Sequence, residues 1–265
     1  MQTSESIKNL VQDKYGQIAS QSSNGCGCGS GCCGEEIDYS VMAKDYSALD
    51  GYVESADLKL GCGLPIEHAN ITTGSTVVDL GSGAGNDVFI ARRIVGESGR
   101  VIGIDMTPEM VEKARTNNKT IGYENVEFHL GDIEKLPLEN AVADIVVSNC
   151  VLNLVPDKAL AFSEVYRILK PGGHFCISDI VLNGELPEQT KKQAELYVGC
   201  VAGALQEKDY LDIIHNAGFK DVDVKVRQEN KIPDSTLATV LSVAEIKEFK
   251  NSDVGIFSIT VVGRK

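Results

Sequence analysis

Eight cysteines fall into two groups in this 265-residue chain, and their thiols are the side chains best suited to chemistry. One group lies in the glycine-rich run 25–34 and comprises Cys26, Cys28, Cys32 and Cys33. The other group is dispersed and comprises Cys62, Cys150, Cys176 and Cys200. Thiolates are nucleophiles and soft ligands that select thiophilic centres. Which of the dispersed thiols share one site depends on where the fold places them.

The clustered cysteines allow several interpretations. Their spacing does not match the C-x₂-C half-site of zinc proteins, and no histidine lies near them. A metal clip, a redox relay and a mobile loop without a catalytic role all stay open. Adjacent cysteines bond to each other only with strain, so a stable Cys32–Cys33 disulfide is not expected.

The charge balance of the chain limits its partners. Lysine and arginine number 25 against 38 acidic residues, which gives a net charge of −13. An acidic surface repels phosphate backbones and anionic membranes, so neither nucleic acid nor membrane is expected as a partner. Residues 1–20 show no signal-peptide pattern, and no apolar run reaches the roughly 20 residues of a membrane span. These features predict a cytoplasmic protein with reduced thiols.

Apolar runs of strand length alternate with amphipathic segments through the middle of the chain. The predicted strands cover 76–80, 100–105, 126–130, 144–148 and 174–181. Such alternation predicts an α/β fold with a doubly wound, Rossmann-like parallel sheet. Helices are predicted over 4–19 and 187–217, with closing strands at 222–226 and 256–262. The expected organisation is an N-terminal helix with the cysteine-rich loop (1–34), a cofactor-binding core (35–182), and a helical capping region with closing strands (183–265).

A glycine loop follows the first predicted strand, where Asp79 precedes Gly81, Gly83 and Gly85. Its G-x-G-x-G spacing differs from the G-x-G-x-x-G fingerprint of dinucleotide enzymes, although a plain tight turn and an NAD-linked enzyme both stay open. Two further polar positions follow strands two and three. Asp105 can bind ribose hydroxyls, and Asp132 with its apolar neighbour can hold adenine. Ligands of doubly wound sheets bind at these strand ends.

These motifs, with the segment 169–173 that leads into strand five, resemble class I S-adenosylmethionine-dependent methyltransferases over residues 70–182. The resemblance implies S-adenosylmethionine as the cofactor. It implies contacts to the methionine end, the ribose, the adenine and the methyl donor from Asp79, Gly81, Ser82, Gly83, Asp105, Met106, Asp132, Ile133 and Asn149. Residues Tyr46, Asp57, Lys59 and Leu60 either line the same pocket or serve helix packing.

Three cysteine segments carry a narrower resemblance. Residues 60–65, 148–154 and 199–205 resemble the cysteine segments of arsenite S-adenosylmethionine methyltransferases, within a similarity that runs from about residue 36 to 220. The resemblance implies that Cys62, Cys150 and Cys200 bind trivalent arsenic as thiolates. It also implies a fourth cysteine, Cys32 or Cys33, that assists turnover through a disulfide with Cys62. The implied partners are an arsenic–thiol conjugate and a thiol reductant of the glutathione or thioredoxin type.

The implied reaction is methyl transfer to arsenic. A thiolate-bound As(III) keeps a lone pair and carries no proton, so no general base is needed, and none of the four histidines sits in a catalytic motif. Catalysis then rests on positioning and on a pocket that excludes water. Two alternatives stay open: a carbon or oxygen methyltransferase acting on a quinone- or sterol-like molecule, and a non-catalytic As(III), Sb(III) or metal-binding protein.

Overall fold

A computed structural model describes residues 3–21, 44–186, 203–238 and 241–265. The predictions for the clustered cysteines, including Cys32 and Cys33, lie outside these residues, and so does the prediction for Cys200. All other predicted site residues lie within them.

Seven strands form one mixed sheet. They are β1 (Thr76–Leu80), β2 (Arg100–Asp105), β3 (Val126–Leu130), β4 (Ala143–Asn149), β5 (Leu169–Asn183), β6 (Lys220–Glu229) and β7 (Gly255–Arg264). Their order is β3-β2-β1-β4-β5-β7-β6. The first five run parallel, and β7 lies antiparallel between β5 and β6. The predicted doubly wound α/β sheet is confirmed, and its strand order reverses between β1 and β4.

Eight α-helices are assigned within the described residues. They are α1 (Ser4–Gln21), α2 (Pro65–His68), α3 (Asn86–Val95), α4 (Pro108–Ile121), α5 (Lys158–Ile168), α6 (Glu207–Asn216), α7 (Asp234–Leu237) and α8 (Val243–Asn251). The helix predicted over 4–19 is confirmed as α1, which extends two residues further, to Gln21. Of the helix predicted over 187–217, the described part is α6, and residues 187–202 lie outside the described ranges.

The central strands are buried because their apolar runs are covered by helices on both faces. Val77 and Val78 point to opposite faces of the sheet, and neither is exposed. An aromatic cluster joins two helices to β5 on one face: the Phe162 ring lies 5.8 Å from that of Phe175 and 5.7 Å from that of Tyr210. Such edge-to-face pairs add about 0.5–1.5 kcal/mol each beyond their buried area. They fix α6 against β5.

The start of β5 differs from the sequence expectation. The proline and glycines of residues 170–173 predict a break before a strand at His174, but the strand begins at Leu169. The pairing with β4 is irregular there, since Ala143 pairs with Leu169 and Ile145 with His174. The extra residues are accommodated as a bulge, where Gly172 has a φ of 80°.

Helix α1 packs against α4 and the carboxyl edge of the sheet. The Gln12 amide donates a hydrogen bond of 2.8 Å to the Met106 carbonyl, and the Lys113 ammonium donates one of 3.3 Å to the Ala19 carbonyl. The N-terminal helix is thereby placed over the ends of the strands. None of the described helices is long and apolar enough to cross a membrane. A cytoplasmic location stays a prediction.

Candidate active site

A cleft opens at the carboxyl ends of β1, β2 and β4, where the strand order reverses and ligands of such sheets bind. It encloses about 1110 Å³ of empty space, open solvent included. The structure brings all nine predicted cofactor residues to its lining: Asp79, Gly81, Ser82, Gly83, Asp105, Met106, Asp132, Ile133 and Asn149. Four further residues, which the sequence assigned either to this pocket or to helix packing, also line the cleft: Tyr46, Asp57, Lys59 and Leu60.

The glycine loop lies close to the turn that follows Cys150. Gly81 has a φ of 70°, and a Cβ added there would lie 2.6 Å from Cγ1 of Val151. A side chain at this position would therefore be strained and would collide with the turn. Glycine is needed because the loop after β1 and the turn after β4 share this wall of the cleft.

The ribose-side acid is held rigidly. Oδ2 of Asp105 accepts a hydrogen bond of 2.9 Å from the Gly83 amide, and Oδ1 accepts one of 2.8 Å from the Thr107 amide. Thr107 stands at the N-cap of α4, but its hydroxyl makes no capping bond. Burial raises the pKa of Asp105, and these hydrogen bonds oppose the rise. The carboxylate thus ties the glycine loop to the start of α4.

Two more buried acids lie beside it in the cleft. Burial raises the pKa of Asp79 well above its usual range, and the charges of Asp87 and Asp105 add to the rise. Burial also raises the pKa of Asp87 to about 6, although hydrogen bonds from Tyr46 and Asn149 oppose it. Clustered carboxylates in a confined cleft favour a cationic ligand, because a positive charge relieves their mutual repulsion.

Asn149 is the centre of a hydrogen-bonded network at the end of β4. Its Nδ2 donates to the Tyr46 hydroxyl over 2.6 Å and to the Gly63 carbonyl over 3.0 Å. Its Oδ1 accepts from the amides of Cys62 and Gly63 over 3.0 and 3.2 Å. One side chain therefore joins the cofactor cleft to the Cys62 segment.

Two of the three predicted arsenic ligands lie in one buried cluster. Cys62 is 1% exposed and Cys150 is 3% exposed, and both pack in an apolar cluster with Ile180, Leu182 and Ile256. Cys150 also lines the cofactor cleft. Its amide donates a hydrogen bond of 2.8 Å to the Ser178 carbonyl, and its φ of 61° turns the chain sharply after β4. Cys150 therefore belongs both to the cleft and to the apolar cluster of Cys62.

Cys176 and the histidines are placed apart from this chemistry. Cys176 is fully buried on β5, its Sγ lies 3.2 Å from the Pro65 carbonyl, and burial raises the pKa of its thiol to about 12. The His174 ring bonds to the Ala69 carbonyl over 2.6 Å, and the His129 ring bonds to Glu127 over 3.1 Å. Both histidines serve local structure.

Residues of α1 belong to the cleft, although no motif or spacing predicted them there. Lys8, Val11 and Tyr15 line it. The Lys8 ammonium lies 2.6 Å from Oδ2 of Asp132 and also pairs with Glu134. Periodicity predicts the helix but not its docking site, because this ion pair joins residues 124 positions apart.

The polar lining of the cleft fits S-adenosylmethionine. Within the described residues, three buried oxygens of the cleft have no hydrogen-bond partner: Ser82 Oγ, Asn86 Oδ1 and Asp87 Oδ1. A ligand with an ammonium group and ribose hydroxyls supplies the donors that such oxygens need. Its sulfonium charge suits the three carboxylates.

Comparisons with known proteins agree with this fit. Residues 71–218 match a methyltransferase domain family. An arsenite methyltransferase of Halobacterium salinarum is 41% identical over 236 residues, covering 85% of this chain and 60% of the relative. One from Aquipseudomonas alcaligenes is 36% identical, covering 88% of this chain and 68% of the relative. The chain thus spans three fifths to two thirds of the length of these relatives.

A solved structure extends the likeness to three dimensions. The crystal structure of an arsenic(III) S-adenosylmethionine methyltransferase from Chlamydomonas reinhardtii superposes with a TM-score of 0.64 at 36% identity, covering 77% of this chain and 67% of that one. A likeness at this identity concerns the family as well as the fold. With its Rossmann-like sheet and its cofactor cleft, the chain belongs to the arsenite methyltransferases, a family of S-adenosylmethionine-dependent class I enzymes.

Proposed function

We propose that this protein transfers a methyl group from S-adenosylmethionine to trivalent arsenic held by the thiolates of Cys62, Cys150 and Cys200. The observation that carries the proposal is the position of Cys150, which lines the cofactor cleft and also packs in the buried cluster of Cys62. A substrate bound there lies next to the methyl donor. Soft thiolates suit As(III), as they suit other thiophilic centres.

Cys200 lies outside the described residues, but its neighbour Gly203 supports its inclusion. A Cβ added to Gly203 would collide with the carbonyl oxygen of Asn153, so the two backbones touch. Cys200 precedes Gly203 by three residues, and Asn153 follows Cys150 by three residues. The contact therefore joins the chain that follows Cys150 to the chain that follows Cys200.

The three thiolates would present arsenic with its lone pair free. Arsenic then acts as the nucleophile, and no protein group has to remove a proton. Cys62 and Cys150 are almost fully buried, so their surroundings exclude water that would compete for the bound arsenic. The main contribution of the chain is to hold the arsenic and the cleft ligand in fixed relative positions.

The cleft residues would hold the cofactor, which supplies a methyl group activated on a sulfonium. Asp105 would bind the ribose, Asp132 with Ile133 the adenine, and the glycine loop with Asp79 the methionine end. Asn149 stands where both sites meet. The carboxylates of Asp79 and Asp87 favour the positive charge of the donor.

Turnover would require reduced thiols. We propose that methyl transfer through its lone pair leaves arsenic formally as As(V), with S-adenosylhomocysteine as the leaving group. Cys62 and Cys32 or Cys33 would then return arsenic to As(III) by giving up two electrons and two protons as they form a disulfide, which a thiol reductant of the glutathione or thioredoxin type reduces. Arsenite would arrive as a thiol conjugate. The support is the family resemblance, since both cysteines lie outside the described residues. Removing both should slow multiple turnover and spare As(III) binding.

Two other functions are weaker. A carbon or oxygen methyltransferase for quinone- or sterol-like substrates gives no task to Cys62 and Cys150. A scavenger of As(III) or metal has no need of a cleft that fits a methyl donor.

Product analysis tests the proposal. Purified protein is incubated with arsenite, S-adenosylmethionine and glutathione, and the arsenic species are followed by mass spectrometry. Methylated arsenicals are expected from the wild type and from the control Cys176→Ala, and at most traces from Cys62→Ser, Cys150→Ser and Cys200→Ser. Wild-type rates in the Cys150→Ser variant would reject the thiolate site, and a wild type without methylated arsenic would reject the activity.

A further inference from the structure

Beneath the turn that follows Cys150 lies a buried polar group that neither the cofactor cleft nor the thiols explain. Asp179 on β5 is fully buried. Its Oδ1 accepts a hydrogen bond of 3.0 Å from the Ile180 amide, and its Oδ2 accepts one of 3.1 Å from the Tyr210 hydroxyl. The backbone amide of Asn153 lies close enough to the same carboxylate to oppose the rise of its pKa. An aspartate in the apolar interior needs such partners, because an unpaired one would cost several kcal/mol.

The other side of the turn is held by a buried lysine. Lys158 donates hydrogen bonds of 3.2 Å to the Asn153 carbonyl and 3.1 Å to the Val155 carbonyl. The charges of Asp179 and Lys158 also attract each other across the turn. The turn therefore lies between Asp179, whose carboxylate is near the Asn153 amide, and Lys158, which binds two of its carbonyls.

Asn153 connects this arrangement to both cysteine segments. It follows Cys150 by three residues, and Gly203, which follows Cys200 by three, abuts its carbonyl. The strand that carries Asp179 anchors the same two segments. The Cys150 amide bonds to the Ser178 carbonyl over 2.8 Å, and the Leu182 amide bonds to the Leu205 carbonyl over 2.8 Å.

We propose that Asp179, supported by Tyr210 and Lys158, is a positioning residue for the arsenic site: it holds the turn after Cys150 and thereby the position of that turn against Gly203. This inference rests on the proposed three-thiolate function. Three donors must converge on one arsenic atom, so a small displacement of one segment removes a bond to arsenic. The cofactor has more contacts, and most of them come from β1, β2 and β3.

Electrostatics place the Tyr210 hydroxyl close to the thiols as well. Burial raises the pKa of Tyr210 well above its usual range, the charge of Asp179 adds to this, and so do the charges of Cys62 and Cys150. The phenol therefore bonds to the aspartate and lies within electrostatic range of the two thiols. Its ring is held by Phe162, so the hydroxyl can be removed without emptying the site.

Two variants and one control separate positioning from stability. Asp179→Asn keeps the shape of the side chain but replaces one of the two carboxylate oxygens that accept hydrogen bonds with an NH₂ group, which cannot accept. Tyr210→Phe keeps the ring and removes one hydrogen bond. Asp144→Asn is the control. Asp144 also accepts a hydrogen bond from a backbone amide, that of Thr76 over 2.8 Å, and it pairs with Lys170. It lies, however, at the opposite end of the strands.

The measurements are the arsenic–sulfur coordination number by X-ray absorption, the KM for arsenite in glutathione, and the Kd for S-adenosylmethionine by calorimetry. The wild type is expected to bind arsenic through three sulfurs. In Asp179→Asn we expect two sulfurs and a KM raised roughly 10- to 100-fold, with kcat and the cofactor Kd changed less than about threefold. Tyr210→Phe should raise the KM roughly threefold to tenfold.

The outcomes distinguish this inference from the function on which it rests. Three sulfurs and an unchanged KM in Asp179→Asn, or an equal rise of KM in Asp144→Asn, would overturn the positioning role and leave the thiolate site intact. Wild-type protein that binds arsenic without sulfur would overturn both. If Asp179→Asn does not fold, Tyr210→Phe decides, and a wild-type KM in that variant would reject the role.

Discussion

The backbone amide of Cys62 donates a hydrogen bond of 3.0 Å to the side-chain oxygen of Asn149, the residue that immediately precedes Cys150. The two cysteines are 88 positions apart in sequence, yet one amide side chain fixes the main chain of the first beside the second. The same side chain donates to Gly63 and Tyr46, so all its polar atoms are used. Asn149 thus links methyl-donor binding to the geometry of the thiols.

Tyr46 should prove necessary for this link. Its hydroxyl donates to the Gly63 carbonyl over 3.1 Å and accepts from Asn149 over 2.6 Å. Tyr46→Phe leaves buried partners unpaired, which costs about 1–3 kcal/mol. We expect kcat/KM for arsenite to fall by roughly 5- to 100-fold in steady-state assays. The control Tyr166→Phe, on α5, should retain wild-type kinetics, and an equal loss in both variants would refute the prediction.

Gly81 should be intolerant of a side chain, and the cause can be tested. Gly81→Ala adds strain of about 1–2 kcal/mol at a positive φ and a collision with Val151. We expect the Kd for S-adenosylmethionine, measured by calorimetry, to rise at least roughly tenfold. Val151→Ala alone should have little effect.

The double variant identifies the source of that loss. Because Val151→Ala removes the colliding methyl groups, Gly81→Ala/Val151→Ala should recover part of the affinity but not the strain. A double variant no better than Gly81→Ala would show that the packing between the glycine loop and the turn is not the cause.

Local patterns predicted the sheet and the cleft because both depend on local information. Continuous apolar runs mark strands covered on both faces, and the ends of parallel strands bring Asp79, Asp105 and Asn149 to one edge. The bulge at residues 170–173 was not predicted, because a proline–glycine sequence signals a break and only the pairing with β4 keeps it in a strand. Contacts of Lys8 and Asp179 depend on partners distant in sequence, which periodicity does not encode.

Cys176 should behave as a core residue and not as a thiolate. It is fully buried, and its pKa of about 12 leaves it protonated at neutral pH. Cys176→Ala should keep wild-type methylation rates and lose about 1–2 kcal/mol of stability for the lost packing. Rates come from product analysis, and stability from urea denaturation. A methylation rate below half of the wild-type rate would mean that Cys176 takes part in arsenic chemistry.

Lys8 should hold α1 over the adenine end of the cleft. It pairs with Asp132 and Glu134, and the Glu134 side chain is only 10% exposed. Lys8→Met should loosen α1, speed hydrogen exchange of its amides and raise the cofactor Kd roughly threefold to tenfold. Lys208→Met removes an equal charge from an exposed pair on α6 and serves as the control. Tighter cofactor binding by Lys8→Met would show instead that Lys8 competes for Asp132.

The stability of the protein should depend on Asp179 in a defined pH range. Burial raises the pKa of this carboxyl from its ordinary 3.8 to about 7. The folded state therefore binds the proton more tightly than the unfolded state. Its contribution to the free energy of unfolding is fully present below pH 3.8 and is lost as the pH rises towards 7.

Asp179→Asn has no carboxyl to titrate at this position. As the pH rises from 3.8 towards 7, the wild type should therefore lose stability relative to the variant. Urea denaturation at several pH values measures it. For Asp144→Asn the pH dependence of the stability difference should be opposite. Burial raises the pKa of Asp144, but bonds from Lys170 and Thr76 outweigh it and lower the pKa, so its contribution is present above the unfolded pKa and lost on acidification. Parallel stability curves for Asp179→Asn and wild type would contradict a buried, proton-binding Asp179.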